Sequence, residues 1–82
     1  MSSNKSNYLL TFEWDSDNEI LENHGNEKGL KKLNDIINSL IAKTNNDHFH
    51  LMTESCGGNE LSEDKQCSEN ILLNHIKLFK WN

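Results

Sequence analysis

Leu30, Leu33, Ile36, Ile37, Leu40 and Ile41 recur at helical spacing and form the apolar face of one amphipathic helix. Asn26 is placed to cap its first turn, and Glu27 suits the positive end of the helix dipole. Lys43 suits the other end, and Asn45-Asn46-Asp47 breaks the pattern. Lys28, Lys31 and Lys32 fall on the solvated side. A helix with one apolar face has to bury it against another element, so the segments around it decide the fold.

Those segments read as strands. Tyr8, Leu10, Phe12 and Trp14 alternate with Leu9, Thr11 and Glu13, a period of two rich in aromatic residues. Asp15-Ser16-Asp17-Asn18 has the composition of a turn, and Glu19 to His24 returns as a second strand that Gly25-Asn26 ends. After the helix, His48 to Thr53 is a third strand, with His48, His50 and Met52 on one face and Phe49, Leu51 and Thr53 on the other. Ile71 to Trp81 is a fourth, with Leu72, Ile76 and Leu78 on one side and Ile71, Leu73, Phe79 and Trp81 on the other. The expected fold is α+β, in the order ββαββ: a mainly antiparallel four-stranded sheet with the helix packed on a face. With 82 residues and no linker or repeat, the chain is expected to be a single domain over 1–82, with residues 1–6 a disordered tail.

One segment does not fit the economy of a small domain. Residues 53–70 join strands three and four, whereas connections in compact domains usually run about 4–6 residues. Connections this long tend to be functional or disordered. Ser62-Glu63-Asp64-Lys65 could start one helical turn within it.

Composition narrows the chemistry. A chain this size buries roughly 60–65% of its unfolded surface, which leaves little core around which to build a deep catalytic cavity. The net charge is −5, and all 8 basic residues are lysine. Without arginine, the usual bidentate reader of phosphate and guanine, nucleic acid is a poor fit as partner. A basic protein is a better one. The N-terminus lacks an apolar signal core and no apolar run approaches membrane-span length, so the expected location is the cytoplasm, with no membrane partner. Cys56 and Cys67 belong to no CxxC pair and read as free thiols, with a disulfide that closes the loop as the alternative.

The possible catalytic and metal motifs are incomplete. Asp15-Ser16-Asp17-Asn18-Glu19 begins like a calcium loop, but the sixth and twelfth places hold Ile20 and Asn26 in place of glycine and glutamate. Gly57-Gly58 lacks the lysine and hydroxyl residue of a phosphate loop. Nothing in sequence orients a base toward Cys56 as a nucleophile. His48 and His50, with His75 and even His24, could converge on zinc. The simpler reading makes them packing or surface residues, so no metal ligand, cofactor or catalytic residue is assigned. A small metal-binding or redox module using His48, His50, His75, Cys56 and Cys67 stands as the alternative.

Charge placement is more informative. Glu13, Asp15, Asp17, Glu19, Glu22 and Glu27 occupy a stretch with no lysine. Glu54, Glu60, Glu63, Asp64 and Glu69 follow in the long connection, against Lys65 alone. The acids therefore concentrate in the hairpin and the long loop. That is either a solvated surface or an acidic face that docks a basic partner.

The segments His48-Phe49-His50-Leu51-Met52-Thr53, Gly57-Gly58-Asn59-Glu60-Leu61-Ser62 and Asn74 to Trp81 resemble those of a family of small bacterial immunity proteins from polymorphic toxin systems, immunity protein family thirty-two. Asn26-Glu27-Lys28-Gly29-Leu30, followed by Leu33, is similar too, and the resemblance runs from about residue 8 to 81. It implies a non-enzymatic inhibitor that binds a toxin domain encoded beside it and protects the producing cell. It also implies a tryptophan just before the paired glycines, where this chain has Cys56. The anchor of the contact would then lie elsewhere, with Trp14, Trp81 and Met52 as alternatives. The expected partner-binding set is Asp15, Asp17, Glu19, Met52, Glu54, Cys56, Glu60, Glu63 and Asp64. The expected partner is a toxin domain with a basic cleft, a nuclease for example. Monomer and homodimer both remain open.

Overall fold

A computed structural model describes residues 8–82. The expected tail at residues 1–6 lies outside the described residues. The chain forms β1 (Leu10–Asp15), β2 (Ile20–Gly25), α1 (Glu27–Ile41), β3 (Asp47–Met52), β4 (Ile71–Leu72) and β5 (His75–Lys80). The class is α+β, with one helix and antiparallel strands in the expected order. The strands divide into two sheets, β2-β1-β4 and β3-β5, where one four-stranded sheet was expected.

The division has a local cause. The expected fourth strand is interrupted at Leu73-Asn74. Leu73 N–H donates to the Phe12 carbonyl on β1 at 2.9 Å, and the next residue, Asn74, accepts from Thr53 N–H after β3 at 3.0 Å. Consecutive residues thus bond to strands of different sheets, and the Asn74 side chain reinforces the switch by accepting from the Thr53 hydroxyl at 2.8 Å. The break also resets which side chains face inward. Leu73, Ile76 and Leu78 pack on the core, whereas Phe79 and Trp81 point to solvent.

β1 is central and is buried on both faces, since Leu10, Thr11, Phe12 and Glu13 are all inaccessible or nearly so. Leu10 and Phe12 join Ile36 of α1, Leu51 of β3 and Leu61 of the long connection in a single core. The helix starts where the sequence placed it. Asn26 Oδ1 accepts from Gly29 N–H at 2.9 Å and from Leu9 N–H at 3.0 Å, so one side chain caps the helix and ties it to the strand. At the other end the cation comes from β5, not from Lys43. Lys80 Nζ donates to the carbonyl oxygens of Ile41, at 2.9 Å, and Lys43. Lys43 itself lies 4.0 Å from Asp47.

Gly29 permits a close approach of helix to strand backbone. A methyl group on its Cα would sit 1.7 Å from the Leu9 carbonyl oxygen, so α1 rests directly on the backbone entering β1.

Candidate functional site

The long connection is built by its own backbone and two of its own carboxylates. The first turn is 3-10, over Glu54–Cys56, and not at Ser62 as the sequence suggested. Both Cys56 and Gly58 N–H donate to the Thr53 carbonyl at 3.0 Å. Gly57 ends the turn at φ 93°, a left-handed conformation that favours glycine. The chain then doubles back, and Leu61 N–H donates to the Met52 carbonyl at 3.2 Å while its side chain enters the core. Glu60 Oε1 accepts from Met52 N–H at 3.1 Å. Glu63 Oε2 accepts from Ser55 N–H at 2.8 Å and also from the Ser55 hydroxyl. Ser62 docks on β1, with its N–H donating to the Leu10 carbonyl at 2.8 Å and its hydroxyl oxygen accepting from Leu10 N–H at 3.0 Å.

This closed loop leaves a groove of about 470 Å³ whose lining includes Tyr8, Glu54, Asn59, Glu63 and Asp64, and no basic side chain. Tyr8 forms one wall and donates its hydroxyl to the Glu60 carbonyl. Burial and the nearby Glu60 charge push the Tyr8 phenol above its ordinary pKa. The Ser55 hydroxyl and N–H hold the Glu63 carboxyl below the usual glutamate range. The groove is therefore anionic at neutral pH, and its shape is set by hydrogen bonds that do not depend on a partner.

Of the residues singled out from sequence, Glu54, Glu60, Glu63 and Asp64 gather in this loop, with Cys56 exposed in its 3-10 turn and Met52 half-buried at its base. Asp15, Asp17 and Glu19 lie apart. Ser62 docks at Leu10, and five residues of strand, about 17 Å, separate Leu10 from Asp15. Asp15 is occupied in its own turn: Oδ2 accepts from the Asn18 side-chain amide at 2.9 Å, which with the Asn18 N–H lowers its pKa. Glu19 closes the turn at φ 56°. Trp14 is half-buried, and Trp81 is exposed beside Phe79, Ile37 and Ile41 around an apolar groove of about 370 Å³.

Glu13 is the residue that sequence reasoning misplaced. The sequence counts it among the hairpin acids of a solvated or docking face, yet it is wholly buried. It accepts from Thr11 Oγ1 at 2.7 Å, Gln66 N–H at 2.8 Å, Asn70 Nδ2 at 3.1 Å and Cys67 N–H at 3.2 Å. Burial alone would raise its pKa. These four donors outweigh burial and bring it from 4.5 to about 2. Glu13 thus holds the second half of the long connection against β1. No local pattern announces this, because three of its four partners lie 53–57 residues downstream.

Among the described residues, the one group of three potential metal ligands whose ligand atoms all lie within 4.8 Å of one another is Glu13, Glu22 and His24. Its oxygens already accept protein hydrogen bonds, His24 Nε2 being 2.8 Å from Glu22 Oε1. His24 is thereby committed away from the other histidines. His48, His50 and His75 do meet, in a row on the outer face of β3-β5. Both thiols, Cys56 and Cys67, are free. No described helix is long and apolar enough to cross a membrane.

No curated protein and no solved structure matches the chain. The family model described as Immunity protein 32 matches residues 24–76, from the end of β2 through α1, β3, the long connection and β4 into β5. The matched stretch is more than half of the 82 residues and contains the whole acidic loop. The chain belongs to the Immunity protein 32 family.

Proposed function

We propose that this protein binds a toxin domain encoded beside it and neutralises that toxin by covering its substrate cleft with the 54–64 loop. The observation that carries the reading is the anionic groove. Glu54, Glu63 and Asp64 line it, no lysine does, and internal hydrogen bonds pre-form it. A pre-formed loop loses little conformational freedom on binding. A cleft that accepts phosphate is basic, so acidic side chains can occupy its phosphate positions. The charge also attracts such a partner over distance, an effect worth about 10–1000-fold in association rate at low salt. Asp17 and Glu19 at the hairpin tip form a separate acidic edge on the periphery of the contact.

The protein acts as a binder and not as a catalyst, in the cytoplasm, where an incoming or newly made toxin would otherwise reach its substrate. The test is co-expression with the product of the neighbouring gene. The neighbour alone should stop growth, and growth should return with this protein present and the two should co-purify. A neighbour that is harmless, or toxic but neither bound nor neutralised, would overturn the reading.

A further inference from the structure

The outer face of the β3-β5 ribbon carries a histidine cluster that the acidic loop does not use. His48 and His50 are two apart on β3 and so share a face. Met52 pairs with His75 and His50 with Lys77, which sets His75 diagonally across from His50 on the same face. The rings touch in sequence. His48 Nε2 lies 3.1 Å from His50 Nε2, and His50 Nδ1 lies 2.8 Å from His75 Nε2.

We propose that His48 Nε2 and His50 Nε2 form a two-imidazole site for a divalent transition cation of the zinc, nickel and copper class, with His75 as the positioning residue for His50. Zinc holds imidazole nitrogens at about 2.0–2.1 Å, which places two tetrahedral ligands about 3.3 Å apart. The observed separation of 3.1 Å needs an adjustment of a few tenths of an ångström. A ligating imidazole generally donates its other ring N–H to an acceptor, which fixes tautomer and ring plane. His75 Nε2 is that acceptor here. With its proton on Nδ1, His50 donates to His75 and leaves its Nε2 lone pair facing His48. Cation entry requires His48 to carry its ring proton on Nδ1 instead of on Nε2, where the apo contact uses it for donation to His50.

The surroundings suit a small, open site. His48 and His75 are exposed and His50 half-buried. Phe79 stacks on the His48 ring, with centroids 5.4 Å apart, and Trp81 stacks on Phe79, so the His48 ring plane is supported from one side. Water would fill the remaining positions. The neighbouring Lys77 ammonium disfavours a cation there and keeps the affinity modest. Hard cations such as magnesium, which prefer oxygen, should not bind.

The experiment is a calorimetric titration of the full chain, free of any histidine tag, with zinc and separately with nickel, followed in parallel by imidazole and amide NMR. One saturable site is expected, with shifts confined to His48, His50, His75 and their ribbon neighbours. His48→Ala and His50→Ala should each weaken binding about tenfold or more. His75→Ala should weaken it by about tenfold, the lower end of the usual effect of an outer hydrogen-bond partner. His75→Gln, whose amide oxygen can accept from His50, should restore most of it, an outcome a purely structural role would not give. His24→Ala should bind as the parent does, and the amide spectrum reports whether each variant is folded. Absence of saturable binding, binding undiminished in folded His50→Ala, or shifts centred on Glu13, Glu22 and His24 would overturn the proposal.

Discussion

The Glu13 carboxylate accepts from the side-chain amide of Asn70 at 3.1 Å across 57 residues of sequence, with both residues buried. The same amide also donates to Glu22 on β2 at 3.0 Å. Asn70 therefore pins the end of the long connection to two strands of the first sheet. It does so immediately before β4 pairs Ile71 with Trp14.

Removing that carboxylate should be costly. Glu13→Ala leaves several buried donors without an acceptor, each worth about 1–3 kcal/mol. A loss of about 3 kcal/mol or more is expected in urea unfolding, with smaller loss in Glu13→Gln. The pH dependence has a definite sign. The folded pKa of about 2 lies below the ordinary 4.5, so the stabilising contribution is fully present above about pH 5. It is lost as pH falls through the interval between those values. At neutral pH it amounts to about 3 kcal/mol. Acid unfolding of Glu13→Gln should be correspondingly shallower over that window than that of the parent chain.

Asn26 serves two donors with one oxygen, on Gly29 and on Leu9. Asn26→Ala should cost about 1–2 kcal/mol, near the upper part of the range for a helix cap. In a domain this small, that lowers the melting temperature by several degrees. Asn26→Asp keeps the acceptor and should recover most of the loss.

Gly29→Ala reverses the usual helix rule. In an exposed helix interior, alanine is better than glycine by about 1 kcal/mol. Here the new methyl would meet the Leu9 carbonyl oxygen at 1.7 Å, so helix and strand must separate. A net destabilisation of about 1–3 kcal/mol is expected, measured by chemical denaturation.

Glu63 should brace the loop without bracing the fold. Glu63→Ala removes the acceptor of the Ser55 amide and hydroxyl. Faster hydrogen exchange at the Ser55 amide is expected, with little change in the melting temperature. In the parent chain, the Ser55 amide resonance should move with Glu63 titration, at a pH below the usual glutamate range because Ser55 stabilises the charged form.

The helix was legible in sequence because its signal is local. Leu33 and Ile36 pack on the core and Leu40 is buried, whereas Leu30, Ile37 and Ile41 of the same expected stripe stay exposed; Asn26 caps three residues from the group it serves. The hairpin was legible for the same reason, but its register was not: the turn falls at residues 16–19 and the second strand begins at Ile20, one residue later than expected, which pairs Phe12 with Asn23. Strand alternation failed at Glu13 because it presumes one wet face, and the long connection covers the second face of β1. It failed again at Leu73, because the chain changes sheets at Asn74, a decision taken by Phe12 and Thr53 far upstream. Lys80 rather than Lys43 reaches the helix end for a similar reason: β5 passes there. The acids of the loop could be collected from sequence. That Glu60 and Glu63 hold the loop's shape while Glu54 and Asp64 stand at its rim could not, because it depends on where Ser55 and Met52 end up.

That last distinction makes the central claim testable without disturbing the loop. Glu54 and Asp64 line the groove, and neither supplies a side-chain hydrogen bond to the loop. The measurement is the association rate of Glu54→Lys/Asp64→Lys with the toxin domain encoded by the neighbouring gene, by stopped flow at low and high salt. If the loop covers a basic cleft, the double variant should associate at least about tenfold more slowly than the parent at low salt, with the gap narrowing as salt screens the charges. An unchanged association rate and affinity, from a variant whose amide spectrum remains that of the parent, would contradict the account and place the contact on another face.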